Sequence, residues 1–187
     1  MKKTILICLL IAIPIIIYAF RTSYITNYTV IKTIGSIEVR EYPKSLYASY
    51  YTKESGNNSK FRVLANYIFG GNDKKENIGM TSPVNMKISS SNNEMLFLMP
   101  QHYNETNLPK PNNNEIEIFS IAKRKVATIR FSGYSNNKKV EAKKAQLIEV
   151  LKKHNIQHTN IFELMVYDSP YKLINRRNEV LVVLPEE

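Results

Sequence analysis

The order of apolar patterns along this chain repeats, and the repeat constrains the fold more than any other feature. An alternating strand pattern at Leu46–Tyr51 leads into a helical pattern at Phe61–Phe69. About 80 residues later a second alternating pattern, Val126–Phe131, leads into a second helical pattern, Asn137–His154. Strands follow both helices, so the order strand, helix, strand, strand occurs twice. We therefore predict an α+β domain with an antiparallel sheet, two flanking helices and pseudo-two-fold symmetry. We also expect the two units to bury their apolar faces together and to leave a groove between helices and sheet.

The two predicted helices bury apolar residues at helical spacing. In the first, Phe61, Leu64, Ala65 and Ile68 fall at i, i+3, i+4 and i+7. In the second, the inward face carries Val140, Leu147, Ile148 and Leu151, and the outward face carries lysine pairs at 138/139, 143/144 and 152/153. Further strands are expected at Ser36–Arg40, Val84–Ile88, Met95–Met99, Glu115–Phe119 and Asn178–Leu184. Residues 108–114 are rich in turn formers and predict a surface loop.

Residues 4–20 form an uncharged apolar run between two lysines and an arginine. As a helix these residues would span ~26 Å, slightly less than a hydrocarbon core of ~30 Å. The run is therefore interpreted as an N-terminal hydrophobic helix, either an uncleaved signal-anchor or a signal peptide cut near Ala19. Lys2 and Lys3 would hold the short end in the cytoplasm. The rest of the chain is then expected outside the cytoplasm of a bacterium, anchored to the inner membrane, or periplasmic or secreted after cleavage. Residues 1–27 are assigned to targeting and a short linker, and residues 28–187 to the folded domain.

The net charge of +10 does not indicate a nucleic-acid-binding protein. Lys2, Lys3 and Arg21 flank the apolar run. The lysine pairs of the second helix are interrupted by Glu141 and Glu149, and no aromatic residue stands between them for base stacking. A solvated helix face is the preferred interpretation, so we expect no nucleic-acid partner.

The sequence offers no catalytic constellation. The single cysteine, Cys8, lies inside the apolar run, and there is no Gly-x-Ser-x-Gly, phosphate-binding loop or His-Glu-x-x-His motif. The three histidines are interpreted as iron ligands or as solvated and capping residues: His102, His154 and His158. We predict a protein without enzymatic activity.

Two other groups of residues have both a structural and a ligand-binding interpretation. Arg176 and Arg177 precede a predicted buried strand, where arginine pairs with carboxylates of the protein or of a ligand. Four methionines cluster around two predicted strands and are interpreted as core residues rather than as a cofactor pocket: Met80, Met86, Met95 and Met99.

Six motifs together resemble the SOUL haem-binding protein family. In order they are Phe-Arg-Val-Leu-Ala-Asn-Tyr-Ile-Phe-Gly-Gly-Asn (61–72), Ile-Gly-Met-Thr-Ser-Pro-Val (78–84), Leu-Pro-Lys-Pro (108–111), Ala-Thr-Ile-Arg-Phe-Ser-Gly-Tyr (127–134), Tyr-Asp-Ser-Pro (167–170) and Arg-Arg-Asn-Glu-Val (176–180). The resemblance implies a distorted antiparallel β-barrel-like sheet flanked by two helices. It also implies non-catalytic binding of haem or related tetrapyrroles in a hydrophobic groove, with a role in haem buffering or trafficking. The alternative is a module of the same fold that binds another small molecule or partner and has no haem affinity.

The same resemblance implies which residues contact the ligand. Carried over by position, they are Arg62, Asn66, Tyr67, Phe69, Lys172 and Arg176. Some members of the family have a histidine, proposed as the iron ligand, in the place of Glu41. Axial ligation by that route is therefore absent here, and no metal ligand is assigned. Haem binding would depend on burial of the apolar macrocycle.

Overall fold

The protein, seen in a computed structural model, is an α+β fold built on one curled antiparallel sheet of nine strands with two helices. The structure describes residues 24–25, 27–52, 57–88 and 94–186. Its elements are β1 (Tyr24–Ile25), β2 (Thr29–Ile34), β3 (Ile37–Tyr42), β4 (Ser45–Tyr51), α1 (Asn57–Ile68), β5 (Thr81–Ser82), β6 (Val84–Lys87), β7 (Glu94–Leu98), β8 (Ile116–Ile121), β9 (Arg124–Phe131), α2 (Asn137–Lys153), β10 (Phe162–Val166) and β11 (Asn178–Val183).

The sheet order shows the predicted duplication. The strands lie in the order β2-β3-β9-β11-β10-β6-β7-β4-β8, with β10 and β6 paired near the middle. Outward from that pair, the successive strands are β7, β4 and β8 on one side and β11, β9 and β3 on the other. The units β4–α1–β6–β7 and β9–α2–β10–β11 are therefore related by a pseudo-two-fold axis through the central pair. The predicted antiparallel, duplicated fold is confirmed.

Each half takes its outer strand from the other half. Strand β3 immediately precedes β4 in the chain but pairs with β9, with Ile37 opposite Ile129. Strand β8 immediately precedes β9 but pairs with β4, with Phe119 opposite Tyr47. We refer to this arrangement as the strand exchange.

The helices pack directly onto the sheet, each on its own half. Leu64, Tyr67 and Ile68 of α1 join one core cluster with residues of β4 and β7. Leu147 and Leu151 of α2 join a second cluster with residues of β9, β10 and β11. Side chains thus fill the space between helices and sheet. The expectation that the units pack face to face around a groove is wrong, because pairing of β10 with β6 joins the halves edge to edge and satisfies their backbone hydrogen bonds.

The face of the sheet opposite the helices is also buried in part. It carries two small apolar clusters, one around Tyr42 and Met165 and one around Tyr47 and Leu96. Strand β1 pairs in parallel with β5, with Tyr24 opposite Thr81. Only a few residues of the chain separate β1, which lies beside β5, from β2 at the edge of the large sheet.

Some elements differ from the sequence-based expectations. Helix α1 begins at Asn57, four residues earlier than its apolar pattern, and β2 and β10 were not predicted individually. The expected N-terminal hydrophobic helix falls on residues that the structure does not describe, so it stays a prediction. Within the described ranges, no helix is long and apolar enough to cross a membrane.

Candidate functional site

The outer side of α1 presents an apolar strip to solvent. Phe61, Ala65 and Phe69 are spaced four residues apart, so they lie one above the other on the helix. Phe69 follows the last residue of α1, and its N–H still donates to the carbonyl of Ala65 at 3.0 Å. Its side chain is 59% exposed and that of Phe61 is 37% exposed. Arg62 and Asn66 are exposed beside them. These five residues are called the α1 strip.

Packing and a tight turn hold the α1 strip in place. The ring of Phe61 contacts Phe97 of β7 with centroids 5.4 Å apart, which ties the strip to the core. Beyond α1, the buried amide of Asn72 donates to the carbonyls of Tyr67 and Glu76, at 3.0 and 2.8 Å. A Cβ atom at Gly71 would lie 2.6 Å from the carbonyl oxygen of Asn66, so only glycine fits this close turn. The end of the strip is therefore rigid.

Tyr67 does not lie on the α1 strip, in contrast to its assignment from the family resemblance. It is one residue from Asn66, a rotation of about 100° around the helix, and it faces the sheet. Its hydroxyl donates to the carbonyl of Pro109 at 2.7 Å, and burial raises its pKa above the ordinary value. Tyr67 is a core residue in this structure.

The other two expected contact residues lie on the loop between β10 and β11. Lys172 is partly exposed, and its ammonium pairs with Asp168 at 2.7 Å. Arg176 is buried, and its guanidinium donates to the carbonyls of Ser169 and Lys172, at 2.5 and 3.0 Å. Its Cζ also lies 4.5 Å from the centroid of the Tyr134 ring. The structure therefore gives Arg176 a structural role, while Lys172 stays a predicted ligand contact.

The loop is reinforced at Asp168. Its carboxylate also accepts the backbone N–H of Arg177 at 2.5 Å. Burial alone would raise the pKa of Asp168, but the bonds from Lys172 and from the Arg177 backbone lower it overall. Asp168 is thus held as a carboxylate at neutral pH.

A buried charge cluster lies on the sheet face opposite the helices. Glu179 of β11 accepts hydrogen bonds from Arg40 Nη1 at 2.6 Å, Arg177 Nη2 at 2.7 Å and the Tyr167 hydroxyl at 2.9 Å. Burial opposes the charge of Glu179, but the two guanidinium groups lower its pKa. The ring of Tyr28 lies beneath the guanidinium of Arg40, whose Cζ is 4.1 Å from the ring centroid. These residues are called the Glu179 cluster, and Arg177 belongs to it as a structural group.

A second buried carboxylate is satisfied in the same way. Glu163 of β10 accepts from Arg124 at 2.6 and 3.0 Å and from the Asn85 amide at 2.8 Å. The sequence interpretation included pairing of Arg177 with a protein carboxylate, which Glu179 supplies, but it missed the rest of both clusters. The signal available was a charged residue standing alone in an apolar strand, as Glu163 does between Phe162 and Leu164.

The histidines lie on three separate segments outside α1. His102 is exposed and its ring lies 4.2 Å from that of Tyr103, His154 caps the C-terminus of α2, and His158 Nδ1 lies 2.5 Å from the Thr159 carbonyl. Across the part of the chain that the structure describes, no group of three or more His, Cys, Asp or Glu residues could hold a metal ion. Residues 57–69 contain no His, Cys or Met. The α1 strip therefore offers an apolar surface and a cation, without an imidazole or sulfur ligand.

Glu41 and the four methionines singled out in the sequence have structural roles. Glu41 of β3 pairs with Lys123 at 2.9 Å. Met95 and Met99 are buried in the α1 core cluster, and Met80 and Met86 are partly buried against it. The interpretation of the methionines as core residues is confirmed.

Comparison with known proteins identifies the family. The sequence profile described as SOUL heme-binding protein matches residues 25–183. The chain belongs to the SOUL haem-binding protein family. Among its curated relatives, heme-binding protein 2 of Mus musculus is 26% identical over 165 residues, which cover 82% of this chain and 80% of that protein. Heme-binding protein 1 of Sus scrofa is 30% identical over 124 residues, which cover 63% of this chain and 65% of that protein.

Solved structures share the SOUL chain's fold. The crystal structure of the EcmrR C-terminal domain has a TM-score of 0.59 and 11% identity, and the match covers 86% of this chain and 99% of that one. A crystal structure described as a hydrolase from Listeria innocua has a TM-score of 0.59 and 8% identity, with coverage of 83% and 94%. At these identities the likeness shows the fold alone.

Proposed function

We propose that this SOUL chain binds haem or a related tetrapyrrole non-covalently on the α1 strip and catalyses no reaction. The observation that carries the proposal is the pair of exposed rings, Phe61 and Phe69, with the exposed Arg62 beside them on α1. A porphyrin is a flat apolar ring system with two propionates. The phenylalanines suit its face, and the Arg62 guanidinium suits a propionate.

The residues of the α1 strip are suited to contact with the porphyrin ring rather than to ligation of its iron. Because the strip has no His, Cys or Met, its side chains supply apolar contact and charge rather than axial ligation. When bound, the haem would supply its own iron chemistry, and the protein would bind and orient it. With binding dependent on contact area, we expect a dissociation constant of about micromolar magnitude. Lys172 stays a candidate for a second propionate contact, for which it would have to leave Asp168.

The cellular setting is part of the proposal. The apolar run at residues 4–20 supports delivery of the domain across the bacterial inner membrane, by a retained anchor or by a cleaved signal. A haem-binding domain there would buffer or traffic haem on the outer face of that membrane. We continue to expect no nucleic-acid partner.

Haemin titration of the purified full chain in detergent micelles, with empty micelles subtracted, tests the proposal through the Soret band. Covering the exposed part of the Phe69 ring is worth roughly 1–2 kcal/mol, so Phe69→Ser should weaken binding roughly tenfold. Arg62→Glu should also weaken it, by removing the propionate partner and adding a like charge. Ile161→Ser is the matched control, because Ile161 is 52% exposed and lies outside α1.

Two results would contradict haem binding on the α1 strip. One is the absence of a saturable Soret change in the parent chain. The other is equal binding by Phe69→Ser, Ile161→Ser and the parent. The alternative function, a module without haem affinity, is favoured by Glu41 standing where some relatives have histidine and by the lack of an imidazole on the strip. Saturable binding of a different flat apolar compound, lost in Phe69→Ser without any haem response, would support that alternative.

A further inference from the structure

The loop between β10 and β11 exposes three large apolar side chains in four residues. Tyr171, Leu173 and Ile174 are 89%, 76% and 76% exposed, which makes them the most exposed large hydrophobic residues in the described part of the chain. Single exposed apolar residues are ordinary on protein surfaces, whereas a run of this kind on one loop indicates a contact surface. We call residues 171–174 the apolar loop.

The apolar loop is built to hold this conformation. Buried Arg176, two residues after the loop, donates to the carbonyls of Ser169 before the loop and of Lys172 within it, so one guanidinium ties these segments together. The hydroxyl of Tyr134 donates to the carbonyl of Pro170 at 3.2 Å. The exposure of the three apolar side chains is therefore a consequence of a fixed backbone.

The N-terminal part of the chain arrives at the base of this same loop. Tyr167 and Arg177 pair there through the backbone, at 3.1 Å. The Ser82 hydroxyl, on the strand that pairs with β1, donates to the Tyr167 carbonyl at 2.9 Å. Arg177 Nη2 donates to the hydroxyl of Tyr28 at 3.1 Å. These contacts place β1 and Tyr28 beside the base of the loop.

The apolar run, residues 4–20, ends four positions before Tyr24, the first residue of β1. Only Arg21, Thr22 and Ser23 separate Phe20 from Tyr24. Four Cα-to-Cα steps reach about 14 Å at most. If residues 4–20 lie in a bilayer, β1 and the neighbouring loop must then lie close to its surface.

We propose that the apolar loop enters the interface of the bilayer in which the apolar run is anchored. The proposal rests on the anchored form of the proposed function and is independent of haem binding. Tyrosine favours the headgroup level of a membrane, while leucine and isoleucine favour the acyl boundary below it. Lys172 lies within the loop and would exchange Asp168, its partner at 2.7 Å, for a headgroup, and the ammonium of Lys139 lies against Gly133, next to Tyr134. These cations suit anionic headgroups, so the occupant of this surface is an anionic lipid bilayer.

A single tryptophan tests this contact, because the chain has none of its own. Tyr171→Trp places a fluorophore on the loop. Ile161→Trp is the matched control, since Ile161 is also exposed but lies just before β10, at the end of that strand away from the loop. The full chain with each substitution is reconstituted into vesicles of equal parts phosphatidylcholine and phosphatidylglycerol, with and without brominated acyl chains. We expect brominated lipid to quench the residue 171 fluorophore at least threefold more than the residue 161 fluorophore, and acrylamide to quench it less.

Further variants and ligands separate the explanations. Adding Leu173→Glu and Ile174→Glu to the Tyr171→Trp chain should abolish the bromolipid quenching while the chain stays with the vesicles. Equal quenching of the two fluorophores would overturn the proposal, as would a full chain that does not sediment with vesicles. Shielding of the residue 171 fluorophore by haemin but not by vesicles would also overturn it and would assign the loop to the haem site. Loss of haem affinity in Phe69→Ser leaves this measurement unaffected, so the two proposals fail separately.

Discussion

Removing the charge of Glu179 is the most informative perturbation of this fold. The residue is fully buried and its carboxylate faces two guanidinium groups, Arg40 and Arg177. Glu179→Gln keeps the shape of the side chain but removes the carboxylate that pairs with the half-buried Arg177, and it leaves buried Arg40 with Glu38 as its acidic partner, at 2.7 Å. Breaking a buried ion pair from one side costs about 3–5 kcal/mol. Because a domain of this kind is stable by about 5–15 kcal/mol, the variant should lose a large part of its free energy of unfolding.

Two companion variants separate charge from packing. Arg177→Met leaves the fully buried Glu179 paired with Arg40, while Glu38, the other carboxylate on Arg40, is partly exposed to water, so this variant should cost less than Glu179→Gln even though it removes a larger polar group. Glu149→Gln changes an exposed residue of α2 and should stay within about 0.5 kcal/mol of the parent. The measurement is urea unfolding followed by far-ultraviolet circular dichroism.

The same cluster predicts a pH dependence with a definite sign. The pKa of Glu179 is lowered in the folded state from an ordinary value of 4.5. Its stabilisation is therefore complete above the unfolded-state pKa and is lost as pH falls through the lower folded-state pKa. The difference in unfolding free energy between parent and Glu179→Gln should be largest near neutral pH and should shrink below about pH 4.5. A loss of less than 1 kcal/mol in Glu179→Gln at pH 7, or a pH-independent difference, would refute the reasoning.

Three other substitutions test the remaining parts of the structure. Asn72→Ala removes hydrogen bonds to four backbone groups at the end of α1 and in the turn after it. It should lower the free energy of unfolding, measured in urea, by about 2–3 kcal/mol. Asn58→Ala, on the exposed start of α1, should lower it little. Leu147→Ala opens a cavity under α2 and should cost about 2–5 kcal/mol, and a loss below 1 kcal/mol would argue against the helix packing described. Arg176→Ala removes the guanidinium that donates to the carbonyls of Ser169 and Lys172, and leaves Ser169 only the backbone N–H of Lys172. It should speed trypsin cleavage after Lys172, an effect that Lys138→Ala should not reproduce.

The sequence was sufficient for the architecture because its apolar periods are strong. The alternation at Val126–Phe131 and the helical spacing of Leu147 and Leu151 reappear as β9 and as the buried face of α2. Strands β2 and β10 were missed for different reasons. Strand β2 is an exposed edge without a buried face, and β10 carries Glu163, a charge that only its pairing with Arg124 makes tolerable inside a sheet.

The candidate site was predictable only in part. The strip residues Arg62, Asn66 and Phe69 were expected from the family resemblance, and all three are exposed on or just after α1. Tyr67 and Arg176 could not be assigned from residue type, because their surroundings come from distant parts of the chain. Tyr67 finds its partner at Pro109, and the ring over Arg176 belongs to Tyr134. The Glu179 cluster likewise joins residues 139 positions apart, Arg40 and Glu179, and no local pattern encodes such a pairing.

The strand exchange makes each half of the molecule an incomplete protein. With β3 committed to β9 and β8 committed to β4, a fragment that ends before β8 would expose β4 as an open edge and would leave β3 without its partner. The duplicated units should therefore not unfold one after the other, and a single cooperative transition is expected despite the internal symmetry. Pairings that join strands about 70 to 90 residues apart also make folding slow, since the chain must close a large loop before either half gains a finished sheet. Two separately expressed halves should be poorly folded alone and should recover the native sheet only when mixed.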